Sequence, residues 1–133
     1  MPDYARLPTF HKSRIRLVVE TPRGSAAKFC YEPENRIFQY SRSLPAGITY
    51  PYDWGFIPCT LGEDGGPLDG MVRHNATTPP GIVIQCQSLG ALSVEQIEDG
   101  EKFHNDRYRF CPVKQAYHGI KAGMKAFVRR EKN

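Results

Sequence analysis

Gly81-Ile82-Val83-Ile84-Gln85-Cys86, entered through the rigid Thr78-Pro79-Pro80, is the strongest β-type run in this chain. Three consecutive branched apolar residues suit a pleated, buried strand. Working outward toward the N-terminus, Ile15-Arg16-Leu17-Val18-Val19-Glu20 has the same character. Lys28-Phe29-Cys30-Tyr31 and Ile37-Phe38-Gln39-Tyr40 flank a Pro33-Glu34-Asn35 turn, and the two runs read as a hairpin. Toward the C-terminus, Arg107 to Cys111 alternates basic and aromatic residues, and Lys125 to Arg129 reads as a last strand. Eleven prolines and twelve glycines separate these runs. No segment keeps a helical period beyond two turns, and Val94 to Gly100 is the stretch that reads as one short turn of helix. Many short strands with frequent turn signals predict a mainly β chain, a small barrel or sandwich.

The 133 residues suit a single domain over 1–133 with one modest core. At 40% hydrophobic and 24% charged, the composition is that of an ordinary soluble protein. No apolar run approaches the ~20 residues that span a bilayer, and the first residues lack the apolar stretch of a secretory signal. A cytoplasmic address away from membranes is therefore expected. Cys30, Cys59, Cys86 and Cys111 form no C-x-x-C pair, which argues against a zinc knuckle or a thioredoxin-type motif. Reduced thiols used for packing are the expectation. The net charge of +4 is mild, and much of it sits at Lys121, Lys125, Arg129, Arg130 and Lys132.

Residues that bear chemistry recur between the strands. Glu63-Asp64-Gly65-Gly66-Pro67-Leu68-Asp69-Gly70 places two carboxylates on a Gly-Pro loop that can aim both at one point. Convergent hard oxygens suit a Mg²⁺ ion that keeps sites for water and phosphate. Glu20 closes the first strand, Lys28 opens the next and Arg42 follows the hairpin. Tyr50-Pro51-Tyr52-Asp53-Trp54-Gly55-Phe56-Ile57-Pro58 is densely aromatic, and Glu98-Asp99-Gly100-Glu101 is a further acidic cluster. Phosphoryl chemistry uses this mixture: carboxylates hold metals, Lys and Arg neutralise phosphate, and tyrosine hydroxyls orient its oxygens. Taken singly, each residue also reads as surface charge or core aromatic.

The order of the set is more specific than any member. Val18-Val19-Glu20, Lys28-Phe29, the Tyr50–Pro58 segment, Thr60 to Asp69, Pro80 to Cys86 and Gly90-Ala91-Leu92 together resemble the soluble, Mg²⁺-dependent inorganic pyrophosphatases of the first family. The resemblance implies an OB-like five-stranded barrel with short helical segments, a cytoplasmic enzyme and a homo-oligomer. It implies Asp64 and Asp69 as catalytic metal ligands, with Asp69 bridging two ions, Glu20 reaching a metal through water, and Glu101 as a further ligand. It also implies Tyr50 in catalysis, with Lys28, Arg42, Tyr50, Tyr117 and His118 on the substrate, pyrophosphate.

The chain departs from the family pattern at several of these positions. Gly66 stands where the family carries the aspartate beside the nucleophilic water, in a loop reading Asp-x-Asp-Pro-x-Asp. Cys30 stands in place of a glutamate and Trp54 in place of a tyrosine. Gln96 and Phe103 replace an acid and a lysine of a second acidic segment. The region of the family's C-terminal helix is shortened. Two functions follow as expectations: Mg²⁺-dependent hydrolysis of pyrophosphate, or a catalytically impaired relative that binds metal and phosphate. A nucleic-acid-binding barrel is the third reading. The acids at Asp64, Asp69 and Glu101 argue against it, because unneutralised they repel a phosphate backbone.

Overall fold

The computed structural model describes residues 3–92, 95–98, 100–104 and 107–112. Among the described residues, ten strands follow one 3-10 turn at Tyr4–Arg6. They are β1 (Phe10–His11), β2 (Arg14–Thr21), β3 (Ala27–Glu32), β4 (Ile37–Ser43), β5 (Asp53–Ile57), β6 (Leu68–Val72), β7 (Val83–Leu92), β8 (Glu95–Glu98), β9 (Glu101–His104) and β10 (Arg107–Pro112).

The principal sheet runs β1-β2-β5-β6-β10-β7, and β7 pairs back onto β2 from Ile15↔Cys86 to Val18↔Val83. That last pairing closes β2, β5, β6, β10 and β7 into a five-stranded barrel, which removes the open edges of a sheet. All its pairings are antiparallel except β6 with β10. The expected mainly β barrel is therefore the observed fold. The β3–β4 hairpin is also present, as a separate two-stranded sheet.

Side-chain alternation divides the strands between core and exterior. Leu17 and Val19 of β2, Ile57, Val72, Cys86 and Phe110 form the buried cluster, with Ile15, Leu68, Ile84 and Tyr108 packed against it. In the rows between strands, Val19 faces Gly55, and Gly55 faces Gly70. A Cβ on Gly70 would lie 2.7 Å from the Phe110 ring and 2.8 Å from Leu17, so the interior at this level has room only for hydrogen. The neighbouring row, Val18–Phe56–Asp69, consequently points outward. Asp69 is thus on the outer wall of the barrel because Leu68, Gly70 and Val72 occupy the inner one.

Three expectations are corrected. Val94 to Gly100 supplies no helical turn at Glu95–Glu98, which is extended and pairs with β9 from Glu95↔His104 to Glu98↔Glu101. The strand read from Gly81 begins at Val83 instead. Gly81 lies at φ +89 and Ile82 N–H closes a turn onto Pro79 O, so the first two residues turn before the run extends to Leu92. The aromatic Asp53–Ile57 and the acidic Leu68–Val72, not read as strands from sequence, are central staves of the barrel. The expected strand at Lys125 to Arg129 lies outside the described residues.

Candidate active site

The loop between β5 and β6 is organised by its own polar atoms. Thr60 Oγ1 donates to Ile57 O at 2.6 Å and accepts Leu68 N–H at 2.9 Å, drawing the loop's two ends together. Gly62 N–H donates to Gly66 O, and Gly65 N–H to Gly62 O. Asp64 Oδ1 accepts Gly66 N–H at 3.0 Å, an Asx-type turn that orients the carboxylate. Gly65 sits at φ +86, a left-handed conformation that glycine adopts without strain. At Gly66 an added Cβ would meet only Asp64 Oδ1, at 3.6 Å, so the position opens into space.

Opposite this loop lies the hairpin. Tyr31 stacks on Phe56 with ring centroids 5.4 Å apart, and meets Phe38 at 5.0 Å and Tyr4 at 5.5 Å. These rings fasten β3 and β4 over the outer row of β5. Between hairpin and loop is a cavity of about 370 Å³. Glu20, Lys28, Asp64 and Asp69 are on its walls, as is Gly66. Tyr31, Phe56, Pro58 and Leu61 supply an apolar side.

Glu20 is the electrostatic centre of this cavity. Its Oε2 accepts Tyr31 N–H at 2.7 Å, which favours the ionised form. Burial outweighs that bond, and the nearby Asp69 carboxylate adds repulsion while Lys28 offsets part of it. The net result lifts the Glu20 pKa to about 7. Two carboxylates close enough to repel form an arrangement that a cation relieves. The donors present are hard carboxylate oxygens, which fit a hard divalent ion that draws the rest of its shell from water and phosphate. Among the described residues, no three His, Cys, Asp or Glu side chains converge into a closed metal cage.

The remaining predicted residues fall in two groups. Arg42 is exposed on β4 directly opposite Lys28, and it is not on the cavity wall. Tyr50 is likewise off the wall. Its backbone bonds to Gly24 and Ser25, and its ring meets Trp54 edge-on at 5.9 Å. Glu101 begins β9, but its side chain lies outside the described residues, as do Tyr117 and His118 altogether. All four cysteines are unbridged. Cys86 and Cys111 pack in the core, and burial pushes both thiols up. Cys30 and Cys59 instead line the cavity, which corrects their reading as packing thiols. Cys59 is exposed and holds φ 55, unusual for a residue with a side chain.

Sequence reasoning missed a second polar centre below the hairpin. Asp53, fully buried, accepts Arg23 N–H at 2.6 Å and Thr78 N–H at 3.3 Å on Oδ1, and its Oδ2 lies 2.5 Å from His74 Nε2. The sole acid within an aromatic run was the available signal.

A family model described as inorganic pyrophosphatase matches residues 17–103. The chain is similar to the inorganic pyrophosphatase of Thermus thermophilus, 41% identical over 87 residues, which are 65% of this chain and 50% of that protein. It is similar to the inorganic pyrophosphatase of a Synechocystis species, 41% identical over 101 residues, which are 75% of this chain and 59% of that protein. Among solved structures, the crystal structure of inorganic pyrophosphatase from Thermus thermophilus aligns with a TM-score of 0.74 at 29% identity, covering 95% of this chain and 78% of the other. The chain spans between half and three fifths of the length of these curated relatives.

Proposed function

The chain belongs to the inorganic pyrophosphatase family, and from that membership we propose that it hydrolyses pyrophosphate to two phosphates with Mg²⁺. The observation that supports this reading is that Glu20, Asp64 and Asp69 line one cavity together with Lys28.

In this reading Asp64 and Asp69 would hold the metal from the loop side, with Glu20 facing it from β2. Glu101 adds a further carboxylate. When bound, the divalent ion neutralises phosphate oxygens and lowers the pKa of water. Lys28 stands at the hairpin base and takes phosphate charge. Arg42 lies opposite it, and like charges directly across a strand pair repel, a cost that a shared anion removes. Tyr50, Tyr117 and His118 complete the phosphate contacts. A homo-oligomer in the cytoplasm is part of the same proposal, with residues 1–133 acting as one domain.

A second reading has its own support. Gly66 presents no side chain toward the cavity, and Cys30 lines the same cavity from the hairpin side. A chain without the acid at residue 66 lacks a general base there, and such help is worth ~10²–10⁴ in rate. The second reading is therefore a metal- and phosphate-binding protein with impaired turnover.

Phosphate release from pyrophosphate, measured against Mg²⁺ concentration in wild type and Asp69→Asn, tests the first reading. Metal-dependent release that collapses in the variant supports it. Absence of release above buffer at every Mg²⁺ and Mn²⁺ level, with calorimetric binding of both metal and phosphate retained, selects the second.

A further inference from the structure

The β3–β4 hairpin carries Lys28 yet, among the described residues, shares no ladder with the barrel. The backbone bonds that would join β3 to β2 are replaced by two side chains at the end of β2. Thr21 Oγ1 accepts Phe29 N–H at 3.1 Å and donates to Phe29 O at 3.0 Å, so one hydroxyl answers both polar groups of one residue. Glu20 Oε2 accepts Tyr31 N–H, two residues further along. Both contacts fall where the strands are irregular. The β2–β5 register shifts between Val19 and Thr21, and the β3–β4 register shifts between Lys28 and Phe29, skipping Ser41. The Thr21 hydroxyl thus holds Phe29, the β3 residue at which the register shifts immediately after Lys28.

The two attachments are unequal. Glu20 lines the cavity and holds Tyr31 N–H, so in the proposed reading its carboxylate would also face a bound cation. Thr21 is 2% exposed, and among the described residues its hydroxyl bonds only Phe29 of the hairpin. We propose that the Thr21 hydroxyl is a positioning group that sets Lys28 against the cavity, holding the hairpin in register while Glu20 serves the cation. The inference rests on the reading of Lys28 as a phosphate ligand.

The test is a double-mutant cycle on Thr21→Val and Lys28→Ala, read by calorimetry at fixed Mg²⁺ as affinity for methylenediphosphonate, a non-hydrolysable pyrophosphate analogue, together with amide hydrogen exchange at Phe29. Thr21→Val removes the hydroxyl at nearly constant volume and is expected to weaken binding roughly tenfold, the scale on which a misplaced contact acts. Thr21→Ser restores it. In the background of Lys28→Ala the valine substitution costs little more, because the group it positions is gone. Phe29 amide protection falls in Thr21→Val while β5 and β6 amides keep theirs. Additive losses in the cycle, or wild-type affinity in a folded Thr21→Val protein, would overturn the proposal. If the valine variant fails to fold, Thr21→Ala and Thr21→Ser give the same comparison of hydroxyl absent against hydroxyl present. Failure of the catalytic reading shows separately, as wild-type protein that binds pyrophosphate without releasing phosphate.

Discussion

Asp53 and His74 form a buried pair whose Oδ2 and Nε2 are 2.5 Å apart, the side chains 0% and 5% exposed. Asp53 sits at the head of β5, and its other oxygen accepts backbone N–H groups of Arg23 and Thr78. Arg23 returns a bond from Nη1 to His74 O, and Thr77 Oγ1 donates to Arg23 O. One carboxylate therefore ties the turn leading into the hairpin to the segment following β6. Removing one partner of such a buried pair typically costs ~3–5 kcal/mol. Asp53→Ala is expected to lose stability on that scale in urea denaturation. Asp53→Asn keeps an acceptor for Arg23 and Thr78 and should lose less than half as much. Equal losses would show that the charge, not the acceptor, holds the turn.

Glu20 makes stability depend on pH in an uncommon direction. Its folded pKa is about 7, above the ordinary 4.5, so the folded chain holds the proton more tightly than the unfolded one. Stability from this group is complete below 4.5 and is lost as pH rises through 7. Glu20→Gln keeps an acceptor for Tyr31 N–H without the buried charge. Without added metal it should therefore exceed wild type in stability at pH 8, by at most about 3 kcal/mol, with the difference gone by pH 4. With Mg²⁺ the order reverses, since the amide is the poorer ligand. Asp69→Asn removes a repelling charge and should move the Glu20 titration down, which NMR of the side-chain carboxyl reads directly.

Gly66 and Gly65 should respond oppositely to aspartate. Gly66 faces space and is not in the left-handed region, so Gly66→Asp is expected to change stability by less than about 0.5 kcal/mol. If a missing base limits turnover, phosphate release rises by ~10²–10⁴. Gly65, at φ +86, should lose roughly 1–2 kcal/mol on the same change. A Gly66→Asp protein that is stable and no faster would exclude the absent acid as the sole limit on rate.

The four thiols should separate by reactivity. Burial raises Cys86 and Cys111, and the thiolate is the reactive form. Ellman's reagent is expected to modify exposed Cys59 first in native protein, with Cys86 and Cys111 reacting only after denaturation. Prior reaction of Cys59, at the cavity's edge, should obstruct pyrophosphate binding, and Cys59→Ser should abolish that obstruction. Full modification of all four in folded protein would contradict the buried placement.

Much of the fold was legible locally. Ile15–Glu20, the hairpin runs and Val83–Cys86 announce themselves by branched apolar residues bounded by turn formers, because strand formation at these sites follows side-chain pattern. Asp53–Ile57 and Leu68–Val72 did not, since Gly55 and Gly70 face the core where an apolar residue is usual. Close approach of the Val18 backbone excludes a side chain at Gly55, and the Phe110 and Leu17 side chains exclude one at Gly70. Among candidate site residues, Glu20, Lys28, Asp64 and Asp69 do share a cavity, whereas Arg42 and Tyr50 stand off its wall.

The sequence alone determined the strand character of β2, and the Gly-Pro loop that separates Asp64 from Asp69. These depend on neighbours within a few residues. Tertiary structure alone decided the closure of β7 onto β2, the seating of the hairpin on Thr21 and Glu20, and the arrival of Cys30 and Cys59 at one cavity. It also turned Asp53 from an acid in an aromatic run into a buried acceptor for Arg23, His74 and Thr78. Such contacts join residues far apart in the chain. A local pattern has no means of encoding which distant donor a buried oxygen will meet.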